Sequence, residues 1–520
     1  MTARIRLDPA AAIGAVPRRL FGTFVEHMGR SVHGGIHDPA SASADHRGFR
    51  SDVADLVREL GATAVRYPGG NFVSGYRWED GVGPVDERPV RLEPAWRGIE
   101  PNTVGLHEFA EWAAEAGMEL VEAVNLGTRG PAEAADLLEY ANHPAGTTLS
   151  DRRRANGRDE PFDIRVWCLG NEMDGPWQIG HKTAHEYGRI AAETARLMRF
   201  IDHRVELVVA GSSNFEMPTF GDWERTVLQL TAGLVDHISV HAYYEEQGDD
   251  AASFLASGAH LDRYLDAVAA IIDEVAADTA TEPVGISVDE WNVWNQTRWN
   301  EVDKPRVLGG EFRNQPVIED DYTVTDAVVV GGLLIALLRH ADRVSMANLA
   351  QLVNVIAPIR CETGGPAWRQ TTFFPFRDAA RHARGVVVRP EVDVDTHRTD
   401  RHGDVAIVDA VATVDADEAS VFIVNRSLDR RMPLHLAVVD ETVDRGVSGG
   451  WRVAEATTLT VPEGADRHRT NGPGDEAVRP APLAGVRSDG EVIAAELPAL
   501  SWTVIRLARD AQESYEEETP

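Results

Sequence analysis

The chain contains the stretch Val166-Trp-Cys-Leu-Gly-Asn-Glu-Met-Asp-Gly-Pro-Trp177, in which an apolar run ends abruptly at a polar pair. Residues 164–169 are mainly apolar, which is typical of a buried strand. In a barrel of parallel strands, the residues at the carboxyl end of each strand lie at the rim of the active site. The stretch therefore predicts a barrel strand that delivers Asn171 and Glu172 to such a rim.

A second stretch has the same form, because residues 284–289 are mainly apolar and run into Glu290-Trp-Asn-Val-Trp294. Hydrolysis of a glycosidic bond requires a carboxylic acid that protonates the leaving oxygen. A retaining enzyme also needs a second carboxylate, about 5 Å away, that attacks the anomeric carbon. A neighbouring carboxylate and apolar walls, which the adjacent tryptophans can supply, raise the pKa of the acid. Glu172 and Glu290 therefore predict glycoside hydrolysis.

The same order of short apolar strand, polar tip, loop and amphipathic helix occurs eight times over residues 17–385. Such alternation predicts a parallel (β/α)8 barrel of the TIM type. The predicted strands comprise residues 20–25, 62–66, 119–124, 164–169, 206–210, 237–240, 284–288 and 343–349. The basic run Arg152-Arg153-Arg154 falls in a predicted loop before the fourth strand, where we expect it to form a solvated or inter-subunit face.

After residue 385 the pattern changes to short strand-like runs, most of them separated by Gly, Pro and Asp clusters. This pattern predicts an antiparallel, jelly-roll-like β-sandwich over residues 386–507. Residues 1–16 predict a short strand, which is followed by a turn at Pro17. Residues 508–520 are rich in glutamate and predict a disordered acidic tail.

The composition excludes several classes of function. Asp and Glu total 83 against 51 Lys and Arg, a net charge of −32, and such a surface repels nucleic acid and anionic membranes. No apolar run approaches about 18 residues, and the N-terminus lacks the apolar core of a signal peptide. The two cysteines, Cys168 and Cys361, make no disulfide framework and fit a reducing compartment. The sequence therefore predicts a cytoplasmic protein that binds neither nucleic acid nor membrane.

The basic residues are almost all arginine, because Lys182 and Lys304 are the only lysines. A scarcity of lysine alone fits a GC-rich genome. Together with the surplus of carboxylates it also fits a halophilic protein in a high-salt cytosol, where the screening length of about 3 Å at 1 M salt removes the repulsion between like charges. The sequence leaves both interpretations open.

Other polar residues at predicted strand tips are candidates for the site, and each also has a plain structural explanation. Glu26 fits a salt bridge as well as a substrate contact. Arg66 fits a pair with Glu26 or Glu290 as well as support of a nucleophile. Asn71 follows two glycines and fits turn chemistry. Core packing or no specific role also fits His241, Tyr243 and Gln351.

No metal or cofactor is predicted. His27 and His33 lie six residues apart with no convincing third ligand. Cys168 is expected to be a buried core thiol, because a nucleophile needs a nearby base. The glycines at positions 69 and 70 form no phosphate loop, because no Gly-Lys-Ser/Thr follows them.

Five motifs occur in order along the chain. They are Phe21-Gly-Thr-Phe-Val-Glu26-His, Val65-Arg66-Tyr-Pro-Gly-Gly-Asn71-Phe-Val-Ser-Gly-Tyr-Arg-Trp-Glu-Asp-Gly-Val-Gly-Pro84, Leu169-Gly-Asn171-Glu172-Met-Asp-Gly-Pro-Trp177, Ser239-Val-His241-Ala-Tyr243-Tyr and Asp289-Glu290-Trp-Asn-Val-Trp294. Together they resemble the α-L-arabinofuranosidases of glycoside hydrolase family 51. The second and third motifs are highly specific, and the resemblance extends from about Leu20 to Leu507.

The resemblance implies a retaining double displacement on a (β/α)8 barrel joined to a β-sandwich, to which residues 1–16 add a strand. It implies that Glu172 is the general acid/base and Glu290 the nucleophile. The furanose hydroxyls would be held by Glu26, Asn71, Asn171 and Gln351. Orientation and charge stabilisation of Glu290 would come from Arg66, His241 and Tyr243. Trp96 and Trp294 would form aromatic walls.

The implied substrates are arabinan and arabinoxylan oligosaccharides, from which terminal non-reducing α-L-arabinofuranosyl residues are removed one at a time. The resemblance also implies a homo-oligomer, often a hexamer. Two other functions stay open from the sequence. One is an endo-β-glucanase of the same family, and the other is a non-catalytic carbohydrate-binding protein that has kept the pocket.

Overall fold

The structure is a computed structural model that describes residues 2–439, 451–488 and 492–509. Eight parallel strands close into a barrel, in which each strand pairs with the next and the eighth pairs with the first. The barrel strands, numbered one to eight, are Gly22–Phe24, Ala64–Tyr67, Glu119–Val124, Val166–Leu169, Glu206–Val209, His237–Tyr244, Gly285–Val293 and Val344–Ala350. The predicted (β/α)8 barrel is confirmed.

A long helix follows each barrel strand. In chain order these helices are Ser51–Leu60, Leu106–Glu115, Pro131–Asn142, Ala184–Ile201, Asp222–Thr231, Ser257–Thr279, Val324–Arg339 and Phe373–His382. The fourth shows how the sequence starts such a helix. The Thr183 hydroxyl accepts a hydrogen bond from the backbone of Glu186, and the Glu186 carboxylate accepts one from the backbone of Thr183. This reciprocal pair satisfies donors that have no partner within the helix.

Shorter elements lie in the loops of the barrel, before its first strand and after its last helix. They are the helices Thr148–Ala155, Ala251–Leu255, Gln296–Arg298 and Lys304–Leu308, the 3-10 turns Arg18–Phe21, Asn71–Gly75, Trp78–Gly81 and Val85–Glu87, the π turn Trp299–Asp303, and the strands Arg91–Glu93, Gly98–Glu100, Ile359–Cys361, Ala367–Arg369, Thr396–Thr399 and Gly403–Ala406.

Strands six and seven extend further than the sequence predicts. Strand seven has a register irregularity on both sides, opposite Ser239 and His241 of strand six and, toward strand eight, between Val288 and Trp291. An irregularity of this kind interrupts the alternation of side chains and re-aims them locally. His241, Tyr243 and Glu290 lie within these strands rather than beyond their ends.

The expectation for the basic run at 152–154 is right for Arg152 and Arg154, which are exposed, and wrong for Arg153 and for the loop. These residues lie in the helix Thr148–Ala155, not in a loop, and the Arg153 side chain is fully buried. Successive residues of an α-helix point about 100° apart, so three adjacent arginines cannot share one solvated face. The Arg153 guanidinium donates to the carbonyls of five residues that close the surrounding loop, namely Tyr140, His143, Pro144, Arg158 and Asp159.

Small apolar side chains fill the barrel interior. They include Ala64, Val121, Ala123, Val166, Cys168, Val208 and Met346. Cys168 is free and buried, as predicted. Burial raises the pKa of its thiol to about 12, so it carries no thiolate at neutral pH and does not act as a nucleophile.

The C-terminal part of the chain forms two β-sheets with a shared apolar core. One has the strand order Ala12–Ala15, Val386–Val388, Val408–Asp415, Glu418–Asn425, Ser501–Arg509, Trp451–Leu459 and Ala481–Pro482. The other has the order Glu391–Asp393, Ala3–Leu7, Met432–Val438, Val492–Leu497 and Arg487–Ser488. Pairing is antiparallel except between Ala3–Leu7 and Met432–Val438.

The N-terminal segment contributes two strands, one to each sheet, where the resemblance implied one. The last strand continues to Arg509 and so includes the first two residues of the predicted acidic tail. The rest of that tail lies outside the described residues. The domain boundaries drawn from the sequence stay a prediction.

Helix Val324–Arg339 joins the barrel to the first of these sheets. Its non-terminal side chains are almost all buried, and it packs on strands Glu418–Asn425 and Val408–Asp415. Gly331 faces the Trp502 ring so closely that a Cβ at this position would clash with it. The glycine therefore sets the approach of the helix to the sheet. Among the described residues, no helix has both the length and the apolar character needed to cross a membrane.

Candidate active site

The carboxyl ends of the barrel strands surround a cavity of about 830 Å³. Nine of the eleven predicted site residues line it: Glu26, Asn71, Trp96, Glu172, His241, Tyr243, Glu290, Trp294 and Gln351. The other two, Arg66 and Asn171, are buried directly behind this wall and hydrogen-bond to one another. The structure thus brings together residues that are widely separated in sequence.

Glu290 is held by two donors. Arg66 Nη1 lies 2.8 Å from one carboxylate oxygen, and the Tyr243 hydroxyl lies 2.8 Å from the other. Asn171 Oδ1 accepts a hydrogen bond from Arg66 Nη2 at 2.7 Å, which fixes the plane of the guanidinium. Two donors on different oxygens restrict the rotation of a carboxylate. The arrangement therefore holds Glu290 in one orientation.

Glu172 lies in a different environment. Its backbone has a φ of 45°, in the left-handed region, and follows Gly170 at 89°. This turn ends strand four and brings the carboxyl group into the cavity, where Trp177 Nε1 donates to Oε2 at 2.6 Å. Burial raises the pKa of Glu172, and the negative charge of Glu290 raises it further. The group can therefore keep its proton at a pH at which an exposed glutamate has lost it.

His241 connects the two glutamates. Its Nδ1 lies 3.0 Å from Glu172 Oε1 and 3.6 Å from Glu290 Oε2, and its Nε2 lies 2.9 Å from Asp289 Oδ1. Burial disfavours a charged ring, but the three carboxylates outweigh it and raise the pKa of His241 well above its usual value. The expectation that His241 orients Glu290 is therefore incomplete, because His241 lies nearer to Glu172 than to Glu290.

Asp289 is a site residue that the sequence analysis did not select. It is buried between His241 Nε2 and Arg66 Nε, the latter at 3.6 Å. Burial alone would raise its pKa, but the Arg66 and His241 charges lower it below the usual value. Regular alternation along a strand would point Asp289 and Glu290 to opposite faces. The register irregularity of strand seven makes it possible for both to serve one site, and no local sequence signal announces it.

The end of the cavity opposite Glu172 is polar and buried. Glu26 accepts hydrogen bonds from Trp96 Nε1 at 2.9 Å and from the backbone of Phe72 at 2.8 Å, while Gln351 Oε1 accepts one from the backbone of Glu26 at 3.0 Å. Burial raises the pKa of Glu26 to about 8. Gly70 leaves room here, since a Cβ would lie 3.2 Å from Glu290 Oε1 and 3.3 Å from Glu26 Oε2.

Aromatic rings form the remaining walls. Trp294 packs edge-on against Tyr243 with ring centroids 5.1 Å apart. Trp96 packs against Trp299, which the sequence analysis did not select, at 5.7 Å. Trp299 comes from the loop after strand seven and also lines the cavity. Apolar walls of this kind exclude water and strengthen the charge interactions inside the cavity.

His27 and His33 have a common partner, contrary to the sequence analysis. The Glu100 carboxylate lies between them, 2.8 Å from His27 Nδ1 and 3.1 Å from His33 Nε2. The other ring nitrogen of His27 bonds to the Tyr67 hydroxyl at 2.7 Å. Both nitrogens of His27 are thus engaged within a hydrogen-bonded network.

Comparison with known proteins identifies the family. A family model described as the α-L-arabinofuranosidase 1 domain matches residues 56–264, and one described as the α-L-arabinofuranosidase C-terminal domain matches residues 289–501. An intracellular exo-α-(1→5)-L-arabinofuranosidase of Streptomyces lividans is 52% identical over 98% of this chain and 76% of its own length. An exo-α-(1→6)-L-arabinofuranosidase of Bifidobacterium longum is 49% identical over 97% of both chains.

Solved structures agree with these matches. A family 51 α-L-arabinofuranosidase from Bifidobacterium longum superposes with a TM-score of 0.90 at 43% identity, over 97% of this chain and 99% of the other. The arabinose complex of an α-L-arabinofuranosidase from Thermotoga maritima superposes with a TM-score of 0.84 at 30% identity, over 97% and 100%. The chain therefore belongs to the α-L-arabinofuranosidases of glycoside hydrolase family 51.

Proposed function

We propose that this enzyme removes terminal α-L-arabinofuranosyl residues by a retaining double displacement, with Glu290 as the nucleophile and Glu172 as the general acid/base. The observation that carries the proposal is the separation of the two carboxylates. One oxygen of Glu172, one of Glu290 and a ring nitrogen of His241 all lie within 4.8 Å of one another. Retaining glycosidases have carboxyl groups about 5–5.5 Å apart, whereas inverting enzymes leave about 6.5–9.5 Å for a water molecule.

In the first step, an oxygen of Glu290 attacks the anomeric carbon while the bond to the leaving oxygen breaks. Glu172 transfers its proton to that oxygen, so the leaving group departs as a neutral alcohol. Arg66 and Tyr243 orient the attacking carboxylate, and the raised pKa of Glu172 keeps the proton available. The product of this step is a covalent glycosyl-enzyme.

In the second step, Glu172 has lost its proton and acts as a base. It removes a proton from a water molecule, whose oxygen attacks the anomeric carbon and displaces Glu290. Glu172 is then an anion beside the His241 ring, which is 3.0 Å away and held by Asp289. A protonated His241 stabilises that anion, so the Asp289–His241 pair assists the change of role between the two steps.

The polar end of the cavity supports exo action. Glu26 and Gln351 are almost fully buried there, and Trp96 closes the side next to them. Their oxygen and nitrogen atoms match the hydroxyls of a single furanose, and a continuing chain at this end would have to displace them. This favours removal of a terminal residue over internal cleavage of a β-glucan.

We extend the proposal to the natural setting of the enzyme. Related enzymes carry names that specify (1→5) or (1→6) links, and several are named intracellular. Short arabinan or arabinoxylan oligosaccharides in the cytoplasm are therefore the proposed substrates. We also propose that the chain forms a homo-oligomer, such as the hexamer expected from the resemblance. We further propose that the protein is adapted to high salt.

Proton NMR of the first product tests the mechanism. The arabinofuranose released at early times should have the α configuration of the substrate, before mutarotation. Release of the β anomer first would rule out the double displacement. Activity on carboxymethyl-cellulose without activity on 4-nitrophenyl α-L-arabinofuranoside would instead favour the endo-β-glucanase.

A further inference from the structure

The cavity extends well past the furanose pocket, and a hairpin from the C-terminal part of the chain closes this extension. Strands Thr396–Thr399 and Gly403–Ala406 pair antiparallel, and a three-residue turn at 400–402 joins them. The backbone of Arg401 donates to Ser253 Oγ at 3.1 Å, which fixes the turn on the loop after barrel strand six. Arg401 and His402 both line the cavity.

The hairpin wall is rich in hydrogen-bonding groups. His260 Nε2 lies 3.0 Å from Glu216 Oε1, and the His260 ring packs 5.5 Å from the ring of His402. His402 Nδ1 accepts a hydrogen bond from Arg263 Nη2 at 3.0 Å. Glu216, His260, Arg401 and His402 together form this hairpin wall.

Two donors of the hairpin wall are not engaged. Burial, with the nearby His260, Arg263 and Arg401, lowers the pKa of His402 to about 4, so the ring is neutral near pH 7. Because Nδ1 is an acceptor, the proton resides on Nε2. Within the described residues, neither this Nε2–H nor the guanidinium of Arg401 has a hydrogen-bond or ion-pair partner.

The position of the hairpin wall indicates what it would bind. Glu216 follows strand five and His260 follows strand six, which lie between the acid/base on strand four and the nucleophile on strand seven. The residues proposed to hold the furanose, Glu26, Asn71 and Gln351, follow strands one, two and eight on the opposite side. The leaving group departs on the side of the acid, and therefore toward the hairpin wall.

We propose that the hairpin wall is a binding subsite for the sugar on the leaving-group side of the scissile bond. Arg401 and His402 donate hydrogen bonds to its hydroxyls, and Glu216 accepts one. The proposal deepens the proposed function and rests on it.

The test compares two substrates that share the furanose but differ in leaving group. One is α-1,5-linked arabinotriose, and the other is 4-nitrophenyl α-L-arabinofuranoside, whose leaving group offers no sugar hydroxyls. For Arg401→Ala and for His402→Phe, the ratio of kcat/KM on arabinotriose to kcat/KM on the aryl substrate should fall about three- to tenfold, the effect of one lost hydrogen bond.

Arg398→Ala is the matched control. Arg398 lies on the same hairpin, is exposed and does not line the cavity, and it forms one ion pair with Asp404 at 3.7 Å. The ratio for this variant should equal that of the wild type. If a wall variant lowers kcat/KM equally on both substrates, the hairpin only supports the fold, and the subsite is refuted.

An unchanged ratio in both wall variants also refutes the subsite. If His402→Phe does not fold, Arg401→Ala at an exposed position supplies the result, and His402→Gln, which keeps a donor, should retain most of the wild-type ratio. A wild type that cleaves neither substrate would refute the proposed function itself, so the two failures can be told apart.

Discussion

Glu172 and Glu290 are the same residue type, and their neighbours differ in a way that fits the two roles proposed for them. The Glu290 carboxylate receives hydrogen bonds from Arg66 and Tyr243, whereas Glu172 is buried beside another carboxylate and a tryptophan. Burial near a like charge favours the protonated acid and raises the pKa of Glu172. This difference predicts that replacement of Glu172 affects activity to an extent that depends on the leaving group of the substrate.

Glu172→Ala should separate the two steps of the reaction. With a good leaving group such as 2,4-dinitrophenolate, little proton donation is needed, so the glycosyl-enzyme still forms and then accumulates. Turnover of unactivated oligosaccharides should fall about 10²- to 10⁴-fold. Azide should restore turnover of the aryl substrate and give the glycosyl azide with the configuration of the substrate. A variant that is inert toward every aryl substrate, with no effect of azide, would contradict the role of Glu172.

Asp289→Asn should shift the pH profile. Asp289 raises the pKa of His241, and a charged His241 lowers the pKa of Glu172. The neutral amide therefore leaves Glu172 with a higher pKa. Since the general acid is lost as the pH rises through that pKa, the basic limb of kcat/KM should move to higher pH while kcat falls. A basic limb that stays in place would show that His241 does not tune the acid. The melting temperature controls for loss of a buried charge partner.

Most site residues could be predicted because they stand in local motifs, such as the run that ends in Asn171 and Glu172. Asp289 could not, since only the irregular register of strand seven brings it next to His241. Glu100 was missed as the partner of His27 and His33 for a related reason: it belongs to a small strand of the loop after strand two, whose path the sequence does not reveal. Arg153 was misplaced because a short polar helix was taken for a loop.

The apolar periodicity of the sequence located the eight strand–helix units, but the predicted ends of strands six and seven are wrong. Both strands continue through His241 to Tyr244 and through Glu290 to Val293. Polar residues normally mark a strand end in sequence. Here they remain in the sheet because their side chains find partners inside the cavity. These partners come from distant parts of the chain, so the local sequence does not show them.

Two adjacent glycines test the junction between helix Val324–Arg339 and the sheet. A Cβ at Gly331 would clash with the Trp502 ring, whereas one at Gly332 would meet nothing within 4 Å. Gly331→Ala should therefore lower the free energy of unfolding by about 1–3 kcal/mol. Gly332→Ala should leave it unchanged or raise it by up to about 1 kcal/mol, because alanine favours the helix. Urea unfolding measures both, and equal effects would mean that Trp502 does not set the junction.

At the scale of the whole molecule, the net charge of −32 governs the response to salt. At low ionic strength the surface carboxylates repel one another and favour the expanded chain. The screening length falls from about 10 Å at 0.1 M to about 3 Å at 1 M salt. Screening should therefore raise the melting temperature between about 0.1 M and 2 M KCl. The activity should rise with it, because the substrate is neutral and salt removes no Coulomb attraction from its binding. A flat or falling melting temperature would support the GC-rich genome as the reason for the scarce lysine.

The identity of the residue that carries the covalent intermediate tests the central claim most directly. Glu172→Ala, mixed with 2,4-dinitrophenyl α-L-arabinofuranoside, should accumulate the glycosyl-enzyme, which is then denatured in acid, digested and analysed by mass spectrometry. We predict one added arabinosyl unit on the peptide that contains Glu290, and none when Glu290 is also replaced by alanine. A label on another residue, or product formation without any labelled peptide and with inverted configuration, would contradict it.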